Sequence, residues 1–130
     1  MSSSFPACYY DTRFRVGSAP TPLPDTFAII TAWNPMDRCW SRKMNVAADH
    51  RLRRLLERHH LKHFRAIGQS PDGSHQEPGW AIVTDLENAL KIGKRYKQRA
   101  IWWILDGKLR LHSCLTGHQE TVAGFAQRMV

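Results

Sequence analysis

Apolar and polar positions change period several times along this chain, and each change marks an element. Between Tyr9 and Val16 they alternate, with Tyr10, Thr12, Phe14 and Val16 on one side and Tyr9, Asp11, Arg13 and Arg15 on the other. Period two predicts a half-exposed strand. Residues 17–25 are rich in Pro, Ser and Gly and read as a loop. Phe27-Ala-Ile-Ile-Thr-Ala-Trp33 is continuously apolar in character and rich in β-formers, which predicts a strand buried on both faces. Asn34-Pro35 ends it. From about Met44 to His60 the period turns helical: Met44, Ala48, Leu52, Leu55, Leu56 and His59 make one stripe, and Arg51, Arg53, Arg54 and Arg58 cover the rest. Asn45 is the expected N-cap, with Asp49 near the positive end of the dipole.

His63 to Gly68 reads as a short strand, and a polar loop, Ser70 to Trp80, separates it from the next strand, Trp80 to Val83. Thr84-Asp-Leu-Glu87 has the form of a capping box opening a helix to about Lys97. Leu86, Ala89, Leu90, Gly93 and Tyr96 would face inward; Lys91, Lys94, Arg95 and Lys97 would face out. Ala100 to Leu105 is a second all-apolar strand. Asp106-Gly107 is a two-residue hairpin signal, and Lys108 to Leu115 alternates again. A short helix is expected around Val122, Phe125 and Met129. The predicted order is ββαββαββ, an α+β domain with a twisted, mostly antiparallel sheet and two basic amphipathic helices packed on it. The two apolar strands should be central and the alternating ones peripheral. Bending into a small Sm-like or OB-like barrel stays open. Residues 1–8 are expected to form a flexible N-terminus and 9–130 a single globular domain.

Charge adds a contrast that the periodicity does not contain. The chain has 130 residues and a formal charge of +8. Residues 41–66 carry eight Lys or Arg against Asp49 and Glu57, residues 67–90 carry four carboxylates and no Lys or Arg, and residues 91–110 carry seven Lys or Arg against Asp106. Such a field attracts anions, although a basic balance also serves solubility alone. Cys8, Cys39 and Cys114 are an odd set without paired spacing, which fits a reducing cytoplasm. No apolar run approaches ~18 residues and no signal-peptide pattern opens the chain, so neither a membrane partner nor export is expected.

Three motifs stand out together: Phe27-Ala-Ile-Ile-Thr-Ala-Trp-Asn-Pro35, Ser70-Pro-Asp-Gly-Ser-His-Gln-Glu-Pro-Gly-Trp80 and Tyr96-Lys-Gln-Arg-Ala-Ile-Trp102. In combination they resemble the bacterial domain of unknown function 3293 family, over roughly residues 9 to 111. The resemblance implies a small cytoplasmic bacterial protein and no particular reaction.

The candidate chemistry rests on the residues themselves. Strand ends and loops carry most functional side chains. If packing brings the end of the first buried strand to the Ser70–Trp80 loop, then Asn34, Asp72, His75 and Glu77 offer acid–base groups and an orienting amide, with Glu77, His75 and Asp72 as catalytic candidates. Trp33, Asn34, Ser70 and Trp80 are candidate ligand contacts. Each has a plainer role: Asn34 before Pro35 and Asp72-Gly73 after Pro71 suit turns, and His75 suits a solvated side chain. Glu77 caps no helix and has no basic neighbour in sequence. Arg51, Arg54, Arg58, Lys94 and Arg95 are candidate phosphate contacts. The chain has five tryptophans; Trp102 and Trp103 are adjacent and must point to opposite faces. A Trp exposed beside these cations would stack on a base.

No phosphate loop, dinucleotide fingerprint or metal spacing is present, so no cofactor and no metal are expected. Two functions fit: a nucleic-acid (RNA) or anionic-ligand binding module, and a small hydrolase acting on a phosphorylated metabolite through the loop. A monomer or a homodimer is expected, the dimer pairing through the Lys108–Leu115 edge.

Overall fold

The two apolar stretches form the middle of the sheet. In the structure, a computed structural model describing residues 5–130, Thr26–Ile30 (β2) pairs antiparallel with Gln76–Ile82 (β4) on one side and Ala100–Leu105 (β5) on the other. Beyond β4 lie His63–Gln69 (β3) and Arg13–Gly17 (β1); beyond β5 lie Lys108–Ser113 (β6) and Gln119–Gly124 (β7). The result is an α+β architecture with one seven-stranded, all-antiparallel sheet in the order β1-β3-β4-β2-β5-β6-β7. The β5–β6 hairpin turns through Asp106 and Gly107, both at positive φ, as its sequence signal requires.

The sheet curls into a half-barrel, and period two sorts its side chains between two cores. Phe27, Ile29, Phe64, Ala66, Ala81, Ile104 and Leu109 face the inside of the curl, where they meet Phe14 and Phe125. Ala28, Ile30, Trp80, Ile82, Ile101 and Trp103 face outward and are covered by two helices, Arg42–Arg58 (α2) and Leu86–Arg95 (α3). The C-terminal residues draw the two edges of the curl together: Met129 bridges to Phe14 of β1, and the Val130 N–H donates to the Phe14 carbonyl at 2.9 Å. The Tyr10 hydroxyl also reaches across, donating to Glu120 of β7 at 2.6 Å. With seven strands the sheet departs from the five-stranded OB type.

Several expectations fail for identifiable reasons. The first strand starts at Arg13, not Tyr9: Ala7–Tyr10 makes a helical turn (α1), to which the Thr12 hydroxyl bonds at the Cys8 carbonyl. Residues 1–4 of the expected flexible terminus lie outside the described residues; Phe5 is buried at 7% exposure. Helix α2 is capped by Ser41, whose hydroxyl accepts from the Met44 N–H, while Asn45 is buried. Asp49 does not serve the helix dipole. It docks α2 on the sheet through two bonds from the Arg65 guanidinium, at 2.9 and 3.0 Å. Met44 and His59 leave the apolar stripe and are exposed. Helix α3 is capped by Asp85 rather than Thr84, the carboxylate accepting from the Asn88 N–H at 2.7 Å.

The expected tail helix is strand β7 followed by a short 3-10 turn, Phe125–Arg128, so the order ends in three strands. Strand β7 covers β6, and the Lys108–Leu115 edge is therefore not free to pair with a second copy. No helix among the described residues is long and apolar enough to cross a membrane.

Candidate functional site

Small residues open a cleft at one end of the half-barrel. Where the inward positions near the ends of β3, β4 and β5 would carry bulk, the chain has Ala66, Gly68, Gly79 and Ala100. The space they leave is a cavity of about 320 Å3, with Phe14, Ile29 and Trp102 as apolar walls. Gly79 is required for a second reason: a Cβ there would lie 2.8 Å from the Ile30 carbonyl oxygen, so only glycine lets β2 and β4 approach.

The rim of the cleft is polar and acidic. Asn34, Asp37, His75 and Glu77 stand around it, and Asp11 and Tyr9 approach from the N-terminal segment. Glu77 Oε2 accepts from Asn34 Nδ2 at 3.3 Å and lies 3.4 Å from His75 Nε2. The Tyr9 hydroxyl donates to Asp37 at 3.3 Å. Burial, and then the Asp37 and Glu77 carboxylates, push that hydroxyl well above its ordinary range, so it stays a donor. The other Asp37 oxygen pairs with Arg99.

A strained segment sets this geometry. Asn34, Met36 and Asp37 all adopt positive φ (46°, 51° and 63°), a conformation L-residues other than Asn and Asp seldom take. Such strain persists only where the surroundings over-determine it, and here they do. The Met36 N–H donates to the Lys97 carbonyl at 2.8 Å. Asn34 and Asn45 interlock: the Asn34 N–H donates to Asn45 Oδ1, and Asn45 Nδ2 donates back to Asn34 Oδ1, both at 2.9 Å. The Trp40 N–H also donates to Asn34 Oδ1. Two backbone N–H groups thus fix both amide orientations, and Asn34 Nδ2 must point at Glu77.

A groove on the opposite, helix-covered side has the opposite sign. It encloses about 430 Å3 between α2 and the end of α3, and Arg51, Arg54, Arg58, Arg95 and Lys97 line it with Trp40 and Tyr96. No carboxylate lines it, and none of these five cations forms a salt bridge among the described residues. Burial pushes the Tyr96 hydroxyl up, against the pull of Arg95, Arg51 and Arg58.

Comparison with known protein families finds one match, over residues 30–101, to the Protein of unknown function (DUF3293) family. The chain belongs to the DUF3293 family. No curated protein and no solved structure matches it. The DUF3293 segment runs from the last residue of β2 into β5. It contains Asn34, Asp37, Gln69, His75, Glu77 and the whole groove, whereas Tyr9 and Trp102 of the cleft lie outside it.

Of the residues singled out in sequence, Asn34, Ser70, His75 and Glu77 converge on the cleft. Asp72 does not line it. It closes the β3–β4 turn instead, accepting from the Ser74 N–H and from the Ser74 and Ser70 hydroxyls, and these bonds hold its carboxyl down at about 2. Trp33 lines neither cavity; its carbonyl accepts from Gln98 at 3.2 Å. Trp80 faces the helix side, with the Arg65 guanidinium 3.8 Å above its ring. Arg51, Arg54, Arg58 and Arg95 share the groove, and Lys94 falls outside it.

Sequence reasoning missed Asp37, Gln69 and Tyr9 in the cleft and Trp40, Tyr96 and Lys97 in the groove. The signal for Asp37 was its residue type: Asn34 and Asp37 bracket a proline-containing turn, and both types tolerate the left-handed region. Among the described residues no three His, Cys, Asp or Glu side chains are placed to hold a metal together.

Proposed function

We propose that this chain is an anion-binding module, with the α2–α3 groove taking the phosphate groups of a nucleotide, free or within single-stranded RNA. The observation that carries the reading is the groove itself: four guanidinium groups and one ammonium group without a carboxylate partner, beside two aromatic rings. Unpaired cations in a concavity focus a positive field, and guanidinium forks suit phosphate oxygens. Arg51, Arg54 and Arg58 span ~10 Å along α2, which is enough to reach more than one phosphate of a strand. Trp40 and Tyr96 supply ring faces for a base.

The alternative, a hydrolase working on a phosphorylated metabolite through the Ser70–Trp80 loop, has the Glu77–His75 pair in its favour. Against it stands the charge of the cleft, where Asp11, Asp37 and Glu77 would all meet the phosphate. Phosphate and cleft therefore belong to different ligands.

The test is a fluorescence-anisotropy titration of a labelled single-stranded RNA across a salt series, with unlabelled mononucleotide as competitor. Binding should weaken steeply with salt, and each of Arg51→Gln, Arg54→Gln and Arg58→Gln should reduce the log–log slope by about 0.7. Competition by mononucleotide assigns the groove to a free nucleotide; its absence assigns it to the strand. Binding that ignores salt, or that survives the triple substitution, overturns the reading.

A further inference from the structure

The cleft and the groove differ in sign, and the cleft carries acceptors that nothing in the protein satisfies. Three carboxylates line it, and no Lys or Arg does. Asp37 is already paired with Arg99. Glu77 is not so paired: Asn34 and His75 share its Oε2, and among the described residues no donor reaches its Oε1. Gln69, the last residue of β3, also lines the cleft at only 7% exposure, and its Oε1 has no hydrogen-bond partner among the described residues. A buried amide oxygen without a donor costs about 1–3 kcal/mol, and native proteins keep few such groups. The β3–β4 register pairs Gly68 with Glu77 and Gln69 with Gln76, so Gln69 and Glu77 stand on successive rungs at this end of the hairpin, and both line the cleft.

An occupant of this space must therefore bring donors to two oxygens, one of them charged. It must also cover Phe14, Ile29 and Trp102, which are apolar. Its size is bounded by about 320 Å3, room for a small molecule. We propose that the cleft binds a small molecule with a primary ammonium group on an apolar or aromatic body, the ammonium held between Glu77 and Gln69 and the body against Trp102. Ammonium matches the site: it offers three donors, no acceptor, and a positive charge for the acidic rim. The Asn34–Asn45 interlock makes Glu77 a positioned counter-ion, because Asn34 Nδ2 holds one carboxylate oxygen and leaves the other for the ligand. None of the groove's arginines lines this cleft.

The probes are 2-phenylethylamine, 2-phenylethanol and phenylacetate, matched in shape and differing in charge, titrated calorimetrically into the full chain. The amine should bind with a Kd of about 1 mM or tighter. It should bind about tenfold or more better than the alcohol or the carboxylate, and Glu77→Gln should lose about tenfold or more of that affinity. The substitution Lys94→Gln, which lies outside both cavities, should leave it unchanged. A second readout needs no variant: in the wild-type protein the Gln69 side-chain amide resonances should shift on adding the amine. The proposal is overturned if phenylacetate binds as well as the amine, if none of the three probes binds, or if Gln69 does not respond at saturation.

Discussion

Cys114 shows how far a single side chain follows its surroundings. It is buried under α3 at 4% exposure, and a Cβ on Gly93 would fall 2.8 Å from its sulfur and 2.6 Å from Ile101 Cγ2. Glycine is thus what lets α3 lie close on β5. In that pocket burial pushes the Cys114 thiol up from 9.0 to about 11. Cys8 and Cys39 are exposed. A thiol reagent applied to the native protein near pH 8 should label Cys8 and Cys39 and reach Cys114 only on unfolding. The sign of the pH dependence follows from linkage. The folded state holds the Cys114 proton more tightly than the unfolded chain, so this contribution is complete below about pH 9 and is lost as pH rises from 9 towards 11. Denaturant midpoints measured across that window should fall in the wild type and fall less in Cys114→Ala. Labelling of all three thiols in the native state would show that α3 does not seal the site.

The helices were legible in sequence and their caps were not, and α2 explains why. Its apolar stripe of Ala48, Leu52, Leu55 and Leu56 was there to read, and all four are buried. The cap depended on which of two suitable side chains was free. Asn45 has the chemistry of an N-cap, but its amide is committed to Asn34, a long-range partner that local sequence does not reveal. Ser41 caps instead. The two positions should therefore respond differently. Ser41→Ala should cost about 1 kcal/mol, as loss of a cap does, and leave the cleft intact. Asn45→Ala should cost more, about 2 kcal/mol, because it strands the half-buried Asn34 N–H and also removes the donor to Asn34 Oδ1. It should also speed hydrogen exchange at the Asn34 and Trp40 amides; equal cost with no change in exchange would reduce Asn45 to packing. Strand β7 was hidden for another reason. Val122, Phe125 and Met129 recur at spacings of a helix, while the strand is specified by pairing with β6 through a register shift at Leu109 and Arg110. The polar loop was read as longer than it is, because Pro78 disguises β4. Proline is tolerated there because β2 pairs only with Trp80–Ile82, leaving β4 a local edge at Pro78. Of the candidate site, the convergence of Asn34 with Glu77 and His75 was visible as residue types flanking predicted strands. The contribution of Gln69 was not, since it arises from burial alone.

At the scale of the molecule, one stretch of chain divides two cavities of opposite charge. Ala32, Pro35 and Trp40 line the arginine groove, and Thr31, Asn34 and Asp37 line the cleft. Asn34 lines the cleft and links it to the groove, since its side chain donates to Glu77 and accepts from the N–H of Trp40. A cation in the cleft and an anion in the groove would face each other across this divider. For scale, two unit charges one Debye length (~10 Å) apart attract by ~0.4 kcal/mol at the dielectric of water and ~1.7 kcal/mol at an effective value of ~20, or about two- to twentyfold in affinity. The expected coupling is positive and reciprocal: saturating 2-phenylethylamine should tighten RNA binding by a factor in that range, and RNA should tighten amine binding by the same factor. Salt screens such an interaction, so the factor should shrink as salt rises. Anisotropy titrations of the RNA with and without the amine, at low and high salt, measure it directly. A factor that persists at high salt would place the coupling in movement of the Asn34–Asp37 segment, and Asn45→Ala should then abolish it. A factor of one at every salt would mean that the strained segment isolates the two sites, its left-handed residues serving only to build the cleft.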